Sequence, residues 1–109
     1  YNLNKNFIIK FNKDLKIKSD YLNSILNKKY KFSLIIPNGG FFAFLNISAT
    51  KLSSDEFSYQ FLKLCKVAVT PGIIFGKDWN QYIRISMSTN IRDFKKGINL
   101  LGLFFNEKK

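Results

Sequence analysis

The sequence contains no histidine, and its 109 residues include one cysteine and two prolines. Histidine is the commonest metal ligand and the usual general base near neutral pH, so its absence excludes Ser/His and Cys/His catalysis and zinc sites. A lone cysteine cannot form an internal disulfide, and we expect Cys65 to be a buried structural thiol.

Long hydrophobic runs are also absent. The longest, Gly39–Leu45, is far short of the roughly 18 residues that a membrane-spanning helix requires. The N-terminus has no signal-peptide pattern. We therefore expect a cytoplasmic protein with no membrane partner.

The composition is typical of one folded domain, with 46% hydrophobic and 23% charged residues. Because the chain begins at Tyr1 rather than at methionine, we expect it to be a piece of a longer protein.

Basic residues outnumber acidic ones by eighteen to seven, a net charge of +11. Such a charge is typical of proteins that bind nucleic acid or anionic membranes. Sixteen of the basic residues are lysines spread along the chain, most densely between Lys5 and Lys18, which favours a solvated face. Only Arg84 and Arg92 are arginines, the residue suited to planar, bidentate recognition of an anion.

Hydrophobic spacing and turn residues predict an α+β domain in which helices cover a small sheet. Residues 1–16 show no clean periodicity and are predicted to be irregular or partly helical. The predicted elements are, in order, a helix over 17–29, strands over 31–36 and 41–47, a helix over 54–66, strands over 67–70 and 81–88, and a helix from Asn90. Ser53 and Glu56 have the spacing of a capping box, and Asn90 and Asp93 mark the start of the last helix.

Periodicity also predicts which side chains are buried. The two C-terminal helices should bury the stripes Phe57, Phe61, Leu64, Cys65 and Ala68, and Phe94, Ile98, Leu101 and Phe105. The strand over 81–88 alternates between an apolar face with Ile83, Ile85 and Met87 and a polar face with Tyr82, Arg84, Ser86 and Ser88.

Arg84 is the first candidate for a functional residue, because a rigid strand can aim its guanidinium at a carboxylate. The alternative is a surface arginine paired with Asp78 or Asp93. Pro37–Gly40 could form a backbone nest for an anion, although a plain turn is the simpler interpretation. Phe42 and Phe44 share a strand face that could stack bases or belong to the core.

Three segments occur together in one enzyme family, in this order and with similar spacing. They are PNGGFFAFL at 37–45, VAVTPGIIFG at 67–76 and YIRIS at 82–86. The set resembles the C-terminal small domain of class I/II aminotransferases, the fold-type I pyridoxal-phosphate enzymes similar to aspartate aminotransferase. The resemblance covers about residues 16–105 and implies a small, mostly antiparallel sheet covered by helices.

The resemblance implies that Arg84 binds the α-carboxylate of an amino-acid substrate. It further implies a homodimeric aminotransferase that uses pyridoxal 5'-phosphate to transfer an amino group from an L-amino acid to a 2-oxo acid. Its small domain would move against the large domain of the same chain when substrate binds.

The family's imine-forming lysine and its cofactor-binding residues belong to the large domain, and no segment here resembles the family's S-x-x-K together with its downstream arginine. We therefore expect no catalytic and no cofactor-binding residue in this chain, and no activity from it alone. Ile74 replaces a residue that is polar or acidic in many relatives, so the resemblance does not define the substrate.

The expected organisation is a lead-in or interdomain segment over 1–15 and the small domain over 16–109. Two other classes stay open on the sequence. The first is a basic α+β module that binds nucleic acid, and the second is a structural or interaction domain.

Overall fold

The computed structural model describes residues 5–29, 33–35 and 42–108. In these residues α1 is Lys5–Leu22, α2 is Ser54–Cys65 and α3 is Ile91–Lys108. The strands are β1, Ser33–Ile35; β2, Phe42–Asn46; β3, Thr70–Pro71; and β4, Tyr82–Ser86. A π-helix, Asn23–Lys29, continues α1, and short 3-10 turns span Ser48–Thr50, Gly72–Phe75 and Lys77–Trp79.

The strands form one antiparallel sheet in the order β1-β2-β4-β3. In β4, Arg84 lies opposite Phe44 of β2 on one side and opposite Thr70 of β3 on the other. The predicted α+β class and the small antiparallel sheet are thus confirmed.

The hydrophobic core lies on one face of this sheet. Successive strand residues point to opposite faces, and the side that contributes to the core carries Ala43, Leu45, Ile83 and Ile85, all buried. The core also contains the predicted stripe of α3: Phe94, Ile98, Leu101 and Phe105. Phe104 of α3 packs its ring against Phe57 at 5.0 Å and Phe61 at 5.4 Å between centroids, which joins α2 to α3.

Both predicted helix starts are confirmed. The Ser53 hydroxyl accepts the Glu56 N–H, and the Glu56 carboxylate accepts the Ser53 N–H in return. The bond from the Ser53 N–H lowers the pKa of the Glu56 carboxyl, and the hydroxyl contributes to the same shift. Asn90 Oδ1 accepts the Asp93 N–H at 2.9 Å at the start of α3.

The segment predicted to be irregular or partly helical is helical from Lys5 onward. Two predictions are corrected. The predicted strand over 67–70 is reduced to Thr70–Pro71, because Lys66 adopts a left-handed conformation and pairing with β4 begins only at Thr70. Leu64 is exposed, and Ala68 lies beyond the end of α2 and is also exposed, so only Phe57 and Phe61 of the predicted stripe are fully buried.

Lys18 contradicts the prediction of a uniformly solvated lysine face. It is only 2% exposed, whereas Lys13 and Lys16 on the same helix are exposed. Its ammonium donates to the carbonyls of Met87 (2.8 Å) and Thr89 and lies 2.8 Å from an Asp14 carboxylate oxygen. A buried lysine with these partners joins α1 to the corner between β4 and α3.

None of the described helices combines the length and the hydropathy of a membrane-spanning segment.

Replacing Lys18 with methionine should destabilise the protein. The substitution keeps the apolar stem but leaves two carbonyl oxygens without their donor, which costs about 2 kcal/mol. The free energy of unfolding, from denaturant titration, measures this loss. Lys16→Met is the matched control, since its exposed ion pair with Asp20 is worth at most about 0.5 kcal/mol. Equal losses in the two variants would contradict the structural role of Lys18.

Candidate functional site

The candidate site is centred on Arg84 in the middle of β4. The side chain is half-buried on the sheet face opposite the core. Its guanidinium carbon Cζ lies 4.0 Å from the centroid of the Phe42 ring and 5.2 Å from that of Phe75. Nη2 makes a long hydrogen bond of 3.5 Å to the Thr70 hydroxyl.

The Arg84 guanidinium has no carboxylate partner within the part of the chain that the structure describes. The ion pairs there are Lys16–Asp20 and Lys18–Asp14. The Asp93 carboxylate instead accepts a hydrogen bond from the Asn90 side-chain amide, and the Asp93 N–H donates to Asn90 Oδ1. The predicted alternative, an Arg84 ion pair with Asp78 or Asp93, is therefore wrong for this structure.

The Gly72–Phe75 turn brings Phe75 to the guanidinium. Gly72 lies so close to the backbone that a Cβ there would sit 2.0 Å from the Trp79 carbonyl oxygen and 2.4 Å from that of Tyr82. The buried Ser54 hydroxyl accepts the Ile73 N–H and donates to the Asn80 side chain, both at 3.0 Å. These contacts fix the turn against α2 and the start of β4.

Aromatic rings continue from Arg84 along the same face. Phe44 packs edge-on against Phe75 at 6.0 Å and at a tilt against Trp79 at 5.2 Å, and Trp79 packs edge-on against Tyr82 at 5.2 Å. Phe42 therefore contacts the Arg84 guanidinium, whereas Phe44 contacts other aromatic rings. Ring packing of this kind stabilises and orders the loop that borders the site.

Other sequence candidates lie elsewhere or outside the described residues. Pro37–Gly40 lies outside them. Cys65 is half-buried rather than fully buried, and desolvation, with a smaller effect of Glu107, raises the pKa of its thiol. A raised pKa keeps the thiol protonated near neutral pH, which is unfavourable for a nucleophile. Arg92 is exposed on α3.

A cavity of about 370 Å³ opens on the core side of the sheet, between the end of α2 and the start of α3. Its lining includes Phe61, Ile85 and Phe94 but not Arg84. The apolar cavity and the arginine therefore belong to opposite faces of the sheet.

The described residues do not form a site for pyridoxal phosphate. The cofactor needs a lysine able to form an imine and a cluster of donors for its phosphate. Lys18 is buried, but its ammonium is already bonded to two carbonyls and Asp14. Arg84 instead suits a substrate carboxylate, since a guanidinium fork matches the two oxygens of that group.

Comparison with known proteins identifies the class. The model of the family described as aminotransferase class I and II matches residues 3–100. The chain therefore belongs to the class I and II aminotransferases, as the three sequence segments had indicated.

Similar proteins include enzymes with different substrates in their names. The chain is 40% identical over 73 residues to aspartate aminotransferase of Pyrococcus abyssi, and 38% identical over 73 residues to aromatic-amino-acid aminotransferase 2 of Thermococcus litoralis. Each match covers 67% of this chain and 19% of the relative. The chain therefore matches about a fifth of the length of these relatives.

The fold agrees with solved structures. An aromatic aminotransferase from Pyrococcus horikoshii superimposes with a TM-score of 0.83 at 29% identity, over 92% of this chain and 26% of that chain. The substrate-bound BacF structure from Bacillus subtilis gives 0.80 at 25% identity, over 93% of this chain and 26% of that one.

The sequence singles out Arg84 as a candidate but does not reveal most of its surroundings. Thr70 and Phe75 reach the guanidinium only because β3 and the following turn pack beside β4. Ser54 follows the capping residue and carries no signal for a bond to a loop many residues away. The tight Gly72 could have been suspected from Pro71-Gly72, a common turn pair, but its backbone neighbours could not.

Gly72→Ala should disrupt the turn. The new Cβ would overlap two backbone oxygens that cannot move independently, so we expect a loss of about 2 kcal/mol or more. Gly97→Ala is the control: its Cβ would meet Val67 at an ordinary 3.7 Å. Since glycine is unfavourable inside a helix, that variant should gain up to about 1 kcal/mol. Thermal unfolding of both variants measures the difference, and similar melting temperatures would contradict the tight packing at Gly72.

Proposed function

We propose that this chain is part of a pyridoxal-phosphate-dependent aminotransferase and that Arg84 binds the α-carboxylate of its amino-acid substrate. Residues 16–109 would be the small domain and residues 1–15 the segment leading into it. The enzyme would transfer an amino group from an L-amino acid to a 2-oxo acid.

The observation that carries the proposal is the state of the Arg84 guanidinium. It projects from the inner strand β4, is half-buried beside two aromatic rings, and is not paired with a described carboxylate. A half-buried cation without an anion is available for one that arrives with a ligand. Membership of the aminotransferase family makes an amino or oxo acid the fitting ligand.

The chain's own contribution would be binding and orientation. Two parallel N–H···O bonds fix both the position and the plane of a carboxylate, and hence the direction of the bonds at the adjacent α-carbon. Pyridoxal phosphate, when bound by the rest of the enzyme, supplies an electron sink for the bond broken at that carbon. An arginine on a mobile small domain would also draw that domain toward the substrate and help exclude water.

The proposed activity is that of the whole enzyme and is supported by similarity to named aminotransferases. Those relatives are about five times as long as the segment that matches this chain. The cofactor site, the imine-forming lysine and the side-chain pocket would lie mainly in the remaining part of the enzyme. We therefore propose that this chain alone is inactive. The homodimer and the cytoplasmic location are further parts of the proposal.

Arg84→Gln in the full-length enzyme should weaken amino-acid binding about 10- to 100-fold, since charge-assisted bonds contribute about 1.5–3 kcal/mol. The measurement is a titration of the cofactor absorbance with L-amino acids. The same titration is repeated with an amine that lacks the carboxylate. This amine should bind Arg84→Gln and the wild type with equal affinity.

Arg92→Gln is the matched control, because it removes the other arginine from an exposed position on α3. It should titrate like the wild type. If Arg84→Gln also titrates like the wild type while its cofactor content is normal, Arg84 does not bind the carboxylate.

If the chain were instead a basic module that binds nucleic acid, the variants would show the opposite pattern. Binding of RNA or DNA would depend on many lysines and fall steeply with salt, and Arg84→Gln would change it little.

A further inference from the structure

We propose that Phe42 and Phe75 are positioning residues for the substrate carboxylate. This inference rests on the proposed function. They hold the Arg84 guanidinium by stacking against it, so that its N–H groups are ready for the incoming anion. Thr70 completes this set, which we call the arginine cradle: Phe42, Thr70 and Phe75.

The first argument is the cost of orienting an arginine. A free arginine side chain loses considerable rotamer entropy when one conformation is imposed, and a carboxylate partner usually compensates for it. No described carboxylate pairs with Arg84. The guanidinium instead contacts the two rings, with centroids 4.0 and 5.2 Å from Cζ, and makes one long hydrogen bond of 3.5 Å from Nη2 to the Thr70 hydroxyl. The rings therefore provide the main contacts that can hold the guanidinium before substrate binds.

The second argument is chemical. Aromatic rings attract a cation through their negative faces and stack well on a planar guanidinium. Stacking uses the faces of the guanidinium and leaves the N–H donors at its edge. Thr70 accepts one weak bond from Nη2. The remaining donors stay available for a carboxylate, which is what pre-organised binding requires.

The third argument is the exposure of the rings. Phe42 is 36% exposed and Phe75 is 42% exposed, while Phe57 and Phe61 of the core are fully buried. A phenylalanine needed only for core packing would be buried. The two rings instead border the guanidinium at the surface, where they restrict water around it and strengthen its bond to an anion.

The fourth argument concerns how the rings are held. Phe42 lies on β2, two residues before Phe44, which is the residue opposite Arg84. Residues two apart on a strand share a face, so Phe42 is on the same face of the sheet as Arg84. Phe75 ends the turn that Gly72 and the Ser54 hydroxyl fix against β4. Two rigid elements thus approach the same guanidinium. The cradle also accounts for an arginine in a lysine-rich chain, because an ammonium is more strongly hydrated and cannot stack as a plane.

The test uses the full-length enzyme with its cofactor. Phe75→Leu and Phe42→Leu keep apolar bulk but remove the ring face, and each should weaken L-amino-acid binding about fivefold to tenfold. Each is also made in the Arg84→Gln background, where no further weakening is expected. Phe75→Tyr retains a ring and should bind nearly as the wild type does.

Tyr59→Leu is the matched control. It removes an exposed ring that the Lys63 ammonium overlies on α2, a helix that carries none of the cradle residues, and should leave affinity unchanged. The carboxylate-free amine should bind equally well to all variants, which separates positioning of Arg84 from a general structural effect.

Stepwise fluorination of Phe75 is the second measurement, since it keeps the ring's shape while weakening its negative face. Affinity should fall in order of fluorination, whether or not the leucine variants fold. Unchanged affinity across the series, or equal losses with and without Arg84, would overturn the cradle. If Arg84→Gln weakens binding and the ring variants do not, only the cradle fails. If Arg84→Gln has no effect, the proposed function fails with it.

Discussion

The antiparallel pairing of β4 between β2 and β3 is the constraint on which the rest of the structure depends. It sends Ile83 and Ile85 into the core and Arg84 to the opposite face, because successive strand residues alternate. A one-residue slip in this register would bury the guanidinium and expose the core residues. Core stability and the placement of the candidate site therefore depend on the same hydrogen bonds.

Two buried polar side chains connect elements that the sheet alone does not hold. Ser54 links the start of α2 to the Gly72–Phe75 turn, and Lys18 links α1 to the corner after β4. Both satisfy backbone groups that burial would otherwise leave unpaired. Since hydrogen bonds are directional, they specify the placement of a loop or corner more narrowly than apolar packing does.

Much of the fold could be predicted because its signals are local. The capping box at Ser53, the Asn90 helix start and the alternation in β4 each depend on residues within a few positions of one another. Errors arose where distant partners decide. The strand predicted over 67–70 from residue type alone pairs with β4 only from Thr70, and Leu64 is exposed where its helical position suggested burial. β-structure in particular depends on the neighbouring strand more than on intrinsic preference.

The sequence by itself determined the two-sided character of β4, the helical stripes and, through three ordered segments, the resemblance to the aminotransferases. These features follow from local periodicity and from residue types at short spacing. Only the tertiary structure decided that Lys18 is buried, that Arg84 has no described carboxylate partner, and that Phe42 and Phe75 lie beside it. Those contacts join residues far apart in the chain, and their geometry arises only when the sheet, the turn and the helices pack together.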